Sequence, residues 1–99
     1  MEIKKTYGAE NQLTISVSGR LDTESAHELS KAFNESAENV TDLTFDLAGL
    51  EYISSAGLRV ILAAQKIMEK QGKMRMINVS QPIMDIFEIT DFVSILTIE

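Results

Sequence analysis

The chain has 99 residues, 44% of them hydrophobic and 24% charged, which is the composition of one folded domain around one core and excludes a disordered tract. It contains no cysteine and a single histidine, His27, which excludes disulfides, thiolate metal sites, iron–sulfur clusters, cysteine nucleophiles and multi-histidine centres. Fifteen acidic against nine basic residues give a net charge of −6, which argues against direct nucleic-acid binding and leaves solubility or a basic protein partner as the reading of the charge.

No apolar run approaches the roughly 20 residues needed to span a bilayer, and the N-terminal MEIKKTYGAENQ has no apolar core of a secretion signal. The expectation is a cytoplasmic protein without membrane insertion, forming one domain over residues 1–99. Two strands open the chain, Ile3 to Tyr7 and Leu13 to Ser18. In the second, Leu13, Ile15 and Val17 alternate with Thr14, Ser16 and Ser18. Gly8 to Gln12 between them suits a hairpin loop.

At Gly19-Arg20-Leu21-Asp22 the period changes to a helical one. Ala26, Leu29, Phe33 and Ala37 fall on one face, with Glu24, His27, Glu28, Lys31 and Glu35 on the other, and Asp22 or Thr23 is the natural N-cap. Leu43, Phe45 and Leu47 alternate again, so a third strand is expected to end near Leu47, with Asp46 and Glu51 bracketing a turn. From Ser55 to Lys70 the polar stripe narrows to Arg59, Lys66 and Lys70, which predicts a mostly buried helix stopped at Gly72. Lys73 to Val79 reads as a fourth strand. Ser80 caps a short third helix with Pro82 in its first turn, and Ile95 to Ile98 is a weak last strand. The order β-β-α-β-α-β-α-β implies an open, mostly parallel α/β sheet with an antiparallel N-terminal strand and helices packed on it.

In such sheets function concentrates where strand ends meet helix starts, here at Gly19–Asp22 and at Leu47–Arg59. Ser55, as N-cap or first-turn residue of the second helix, lies beside unpaired backbone N–H groups and the positive end of the helix dipole. A phosphate there is stabilised rather than repelled, and changes the surface while leaving the core alone. Gly57 is expected to keep the neighbourhood free of bulk, so that an incoming phosphate or backbone approaches closely. The plainer alternative is that Ser54 or Ser55 only caps the helix, and that Asp22 is only a cap of the first one. Asp46 and Glu51 lack a convergent base, and Met68, Met74, Met76 and Met84 sit at core-like periods. A serine hydrolase is disfavoured because the only histidine is expected to face water. A phosphorelay receiver is disfavoured by the lack of clustered acids that hold magnesium.

The stretch Asp46-Leu47-Ala48-Gly49-Leu50-Glu51-Tyr52-Ile53-Ser54-Ser55-Ala56-Gly57-Leu58 resembles the signature of the STAS domain, above all that of free-standing bacterial anti-sigma-factor antagonists. Gly19-Arg20-Leu21-Asp22 is similar to the Gly-x-Leu-Asp of that family, and the resemblance extends over the whole chain. It implies a non-enzymatic partner switch without a cofactor. The unphosphorylated protein binds an anti-sigma factor with serine-kinase activity and so frees the sigma factor. Phosphorylation at Ser55 ends the interaction, and a PP2C-type phosphatase restores it. The resemblance assigns partner contact to Asp22, Ser54, Ser55, Ala56, Gly57, Leu58 and Arg59. The sequence departs from the family pattern at Ser54, where the motif has aspartate, and at Ala56, where it has a second hydroxyl. Ser54 is thereby a competing acceptor. The loss of the aspartate also supports a second expectation, a constitutive STAS assembly subunit without a phospho-switch, for example beside the ATPase of a lipid transporter.

Overall fold

A computed structural model describes all residues, 1–99. The chain runs β1 (Glu2–Tyr7), β2 (Gln12–Leu21), α1 (Thr23–Ser36), β3 (Asp42–Ile53), α2 (Ser55–Gln71), β4 (Lys73–Ile77) and α3 (Gln81–Ile89), followed by a 3₁₀ turn at Phe92–Ser94. The four strands form one sheet in the order β1-β2-β3-β4. β1 pairs antiparallel to β2, while β2 with β3 and β3 with β4 are parallel, each joined through a helix as parallel pairing requires. The α/β class, the antiparallel first strand and the element order β-β-α-β-α-β-α are present as expected; the last strand of the expected order is not.

The period-2 pattern explains which face is covered. Leu13, Leu43 and Met74 stand side by side across three strands, as do Ile15, Phe45 and Met76, and all six are buried. The alternate rows, Thr14–Thr44–Arg75 and Ser16–Asp46–Ile77, form the other, more polar face. Ala26, Leu29 and Phe33 of α1, Leu58, Ile61, Ala64 and Met68 of α2, and Ile83 and Phe87 of α3 complete a single core of 22 buried apolar residues. The core methionines 68, 74 and 76 are buried in it.

Four local expectations need correction. β3 does not end near Leu47 but runs on to Ile53, so Asp46 and Glu51 bracket no turn. The reason lies in β2, which also continues to Leu21 and supplies the pairing partner. Register shifts between Ser16 and Ser18 and between Gly19 and Arg20 break the simple alternation that would have announced both extensions. Gly49 is required there, since a Cβ at that position would lie 2.7 Å from the Cβ of Ser18.

α2 is not mostly buried: Ser55, Arg59, Ala63, Lys66, Ile67, Glu69, Lys70 and Gln71 are exposed, so only about half of the helix faces the core. The last strand is reduced to one parallel bridge between Met76 and Ile98, because residues 92–94 are taken up by the 3₁₀ turn. β4 ends at Ile77, where Asn78 takes a positive φ of 57°. Ser80 is the N-cap of α3 but makes no side-chain cap bond; Pro82 sits in the first turn as expected. Gly72 closes α2 in extended backbone, and its N–H bonds to the Met68 carbonyl.

Candidate functional site

Because β2 and β3 are parallel neighbours that finish level with each other, Leu21 opposite Ile53, the two helices that follow start side by side. The N–H of Ser54 donates to the Leu21 carbonyl at 2.8 Å, which fastens the start of α2 to the end of β2. Asp22, Ser54 and Ser55 are thereby brought to one end of the sheet, although Ser54 lies 32 positions beyond Asp22 in the chain.

At α1 the N-cap is Asp22, not Thr23. Its Oδ1 accepts from the Ser25 N–H at 3.0 Å, and its own N–H donates to Ser25 Oγ at 2.8 Å, a reciprocal capping box. Ser25 Oγ also donates to the Arg20 carbonyl at 2.8 Å, and Ser25 is buried. The Ser25 N–H, then the Ser25 hydroxyl, hold the Asp22 carboxyl below the ordinary carboxylate range, since both bond to the ionised form. Arg20 adds a smaller attraction and places its guanidinium 4.2 Å from the centre of the Tyr52 ring.

At α2 the cap is Ser54, not Ser55: Ser54 Oγ accepts from the Gly57 N–H at 3.1 Å. Ser55 is the first helical residue, and it is exposed while Ser54 is half-buried. The Ser55 hydroxyl has no hydrogen-bond partner in the protein, so it projects into water at the positive end of a 17-residue helix. Arg59, one turn further on, is exposed and outside the single ion pair of the structure, which joins Arg75 to Glu99. Ala56 is half-buried against the core, and Leu58 belongs to the core.

The expected role of Gly57 is corrected. Gly57 is buried, and a Cβ on it would lie 2.7 Å from Leu21 Cγ and 3.0 Å from Ile53 Cγ1. Its missing side chain lets the helix seat on the two strand ends; it clears no space for an incoming group. The geometry thus separates the signature into two sets. Asp22, Ser55 and Arg59 face solvent, whereas Gly57 and Leu58 hold the helix in position.

Beside Asp22 lies a shallow open depression of about 410 Å³ lined by Met1, Gly19, Arg20, Asp22, Glu24, Ser25 and Glu28. An open polar surface of this kind suits docking rather than enclosure of a small substrate. Neither serine hydrogen-bonds to His27, which is exposed on α1. No group of three or more acidic or histidine side chains is placed to hold a metal ion, and no helix is long and apolar enough to cross a membrane. Sequence reasoning missed Tyr52 and Ser25; the former is visible only once the bulged register sets it opposite Arg20, the latter as the partner three residues beyond Asp22.

The STAS domain family model matches residues 1–99. The anti-sigma-B factor antagonist of Bacillus subtilis (strain 168) is 31% identical over 90 residues, covering 90% of this chain and 83% of the relative. Among solved structures, a putative anti-sigma factor antagonist from Thermotoga maritima superposes with a TM-score of 0.89 at 17% identity, over 97% of this chain and 84% of that one. The Bacillus cell fate determinant SpoIIAA in its phosphorylated form gives 0.78 at 15% identity, over 99% and 91% of the two chains. At such identities the two structures speak for the fold. The sequence relationships carry the assignment, and on them this chain belongs to the STAS domain family.

Proposed function

We propose that this protein is a non-catalytic anti-sigma factor antagonist that works by partner switching. In its unphosphorylated form it binds an anti-sigma factor with serine-kinase activity in the cytoplasm; phosphorylation at Ser55 ends the complex, and a PP2C-type phosphatase restores it. The name of the Bacillus subtilis relative supports the partner class, and SpoIIAA supports a phosphorylated form of this fold. The observation that carries the proposal is the exposed, uncommitted hydroxyl of Ser55 at the first turn of α2, at the same end of the sheet as Asp22.

The chemistry follows from that position. A phosphate on Ser55 adds about −1.5 to −2 charges where the helix start offers positive potential, so the fold tolerates it. Arg59 stands four residues C-terminal to it, the favourable spacing and order for a negative-to-positive pair on a helix. A docked partner must dehydrate that helix start, and a buried dianion without a matching cation is costly. The same group is therefore harmless to the free protein and disruptive to the complex. Ser54 in place of the motif aspartate supports the same assignment, because serine and aspartate are equally good N-caps and Ser54 makes the cap bond to Gly57. With its oxygen on that bond and most of its surface covered, Ser54 is the poorer acceptor.

The test combines this protein, its cognate anti-sigma kinase and ATP. The wild type binds without ATP and releases once phosphopeptide mapping shows phosphate on Ser55. Ser55→Ala stays bound with ATP present, and Ser55→Glu binds about a hundredfold more weakly. Phosphorylation and release of Ser55→Ala at wild-type rates would show the site to be wrong. If no phosphate reaches either serine and Ser55→Glu binds like wild type, the protein is the constitutive assembly subunit instead.

A further inference from the structure

The pole of the molecule away from Ser55 has a different character. α3 begins beyond the end of β4 and runs back along the sheet for nine residues, about 13 Å at 1.5 Å per residue. It finishes on Ile89, which is 87% exposed; Val93 and Ile95 follow at 40% and 42%. Asp91 takes a left-handed φ of 62° and turns the chain. The 3₁₀ turn then folds back on α3, with the Phe92 ring stacked on that of Phe87 at 6.3 Å. That stack uses the inner side of the turn, so Ile89, Val93 and Ile95 are left in water within seven residues of each other. Exposed apolar clusters with a polar rim mark interaction surfaces.

Asp85 and Glu88 on α3 and Asp91 at the turn are exposed, while Lys73 and Arg75 of β4 lie further along the edge, beside Thr97 and Glu99. After Arg75 the chain holds Asp85, Glu88, Asp91 and Glu99 and no lysine, arginine or histidine. Arg75 itself is paired with Glu99, with its nitrogen 3.8 Å from the carboxylate. We infer that this surface docks a basic amphipathic segment of a partner protein, whose apolar anchor covers Ile89, Val93 and Ile95 while its lysines or arginines meet Asp85, Glu88 and Asp91. Charge selects this occupant. A second copy of the chain would set the same three carboxylates against each other, and nucleic acid or an anionic membrane would be repelled. The surface lies at the far end of α3 from the serine, so the inference does not rest on the switch at Ser55.

The test titrates the ¹⁵N-labelled full chain with a helical peptide of about 15 residues that carries leucines along one face and lysines along the other. Its control is the same peptide with serine in place of each leucine. Expected are amide shifts concentrated between residues 85 and 95, and affinity at least about tenfold higher for the leucine peptide. Ile89→Asp, on a side chain already in water, keeps the wild-type fold and loses about tenfold in that affinity. A charge-matched control, Ala63→Asp on the exposed face of α2, leaves it unchanged. Equal binding of both peptides, shifts spread over the acids of α1, or an unaffected Ile89→Asp would each overturn the inference. So would self-association of the free protein that Ile89→Asp abolishes, since the occupant would then be a second copy.

Discussion

The starts of α1 and α2 are neighbours with the same local architecture and opposite capacities. Each follows a parallel strand, and each has a side-chain oxygen on the N–H three residues ahead, Asp22 on Ser25 and Ser54 on Gly57. At α1 the negative charge is already in place, the third-position hydroxyl is buried, and that hydroxyl both receives and donates a bond. At α2 the cap is neutral, the third position is a glycine pressed on Leu21 and Ile53, and the hydroxyl of Ser55 is unengaged. One helix start is electrostatically filled; the other has room for an added anion. An added negative charge is better accommodated at the second, because only there does it meet positive potential without displacing an existing bond.

The strongest way to break this comparison is to add the same acid to both. Ser25→Asp puts a second carboxylate, mostly buried, beside Asp22 and removes the bond to the Arg20 carbonyl, so urea unfolding should show a loss of about 3 kcal/mol. Ser55→Asp should change stability by no more than about 0.5 kcal/mol, since an exposed acid in the first turn suits the dipole. Equal losses would mean that α2 has no more room for an anion than α1.

Gly57→Ala comes next. Its Cβ meets Leu21 and Ile53 side chains too closely, and the required shift should cost about 2 kcal/mol without preventing phosphorylation of Ser55. A neutral or stabilising result would return Gly57 to the surface role first expected of it. Smaller still, Ser54→Ala should lose about 1 kcal/mol, and Ser54→Asp should recover it, if the motif aspartate and this serine share the capping role. Failure of the aspartate to rescue would separate the two.

The two helix starts also respond differently to pH. Asp22 has a folded pKa below its unfolded value, so its stabilising effect is complete above the ordinary aspartate pKa of about 3.9 and is lost as pH falls through the lower, folded value. Amide exchange followed from about pH 6 to about pH 2 should show the Ser25 N–H losing protection in the acid range, ahead of the Gly57 N–H, whose acceptor does not titrate. Asp22→Asn should abolish the difference. A common midpoint for both amides in the wild type would place the acid transition elsewhere.

Much of this arrangement was readable from the residues. Periods of two and 3.6 placed the four strands and three helices, though they also announced a last strand that is only one bridge, and Asp22 and the Ser54–Ser55 pair marked the two helix starts. Three features were not readable, each for a definite cause. The bulges in β2 interrupt alternation just where both strands lengthen, so β3 seemed to end six residues before Ile53. The identity of the α2 cap turns on which of two adjacent hydroxyls reaches the Gly57 N–H, a choice made by the Ser54 N–H bond to Leu21. The exposure of Val93 and Ile95 follows from the 3₁₀ turn at Phe92–Ser94, which takes the place of the expected last strand and which no local pattern announced.

Sequence alone determined the class of fold, the single core and the end of the sheet where the signature lies, because these follow from side-chain periodicity and from the polarity of parallel strands. Tertiary structure alone decided that the starts of α1 and α2 lie side by side, that Gly57 is a seat for α2 and that Ile89, Val93 and Ile95 are left exposed. Those outcomes depend on contacts between residues far apart in the chain, such as the Leu21 carbonyl with the Ser54 N–H, and no local pattern encodes a distance across a sheet.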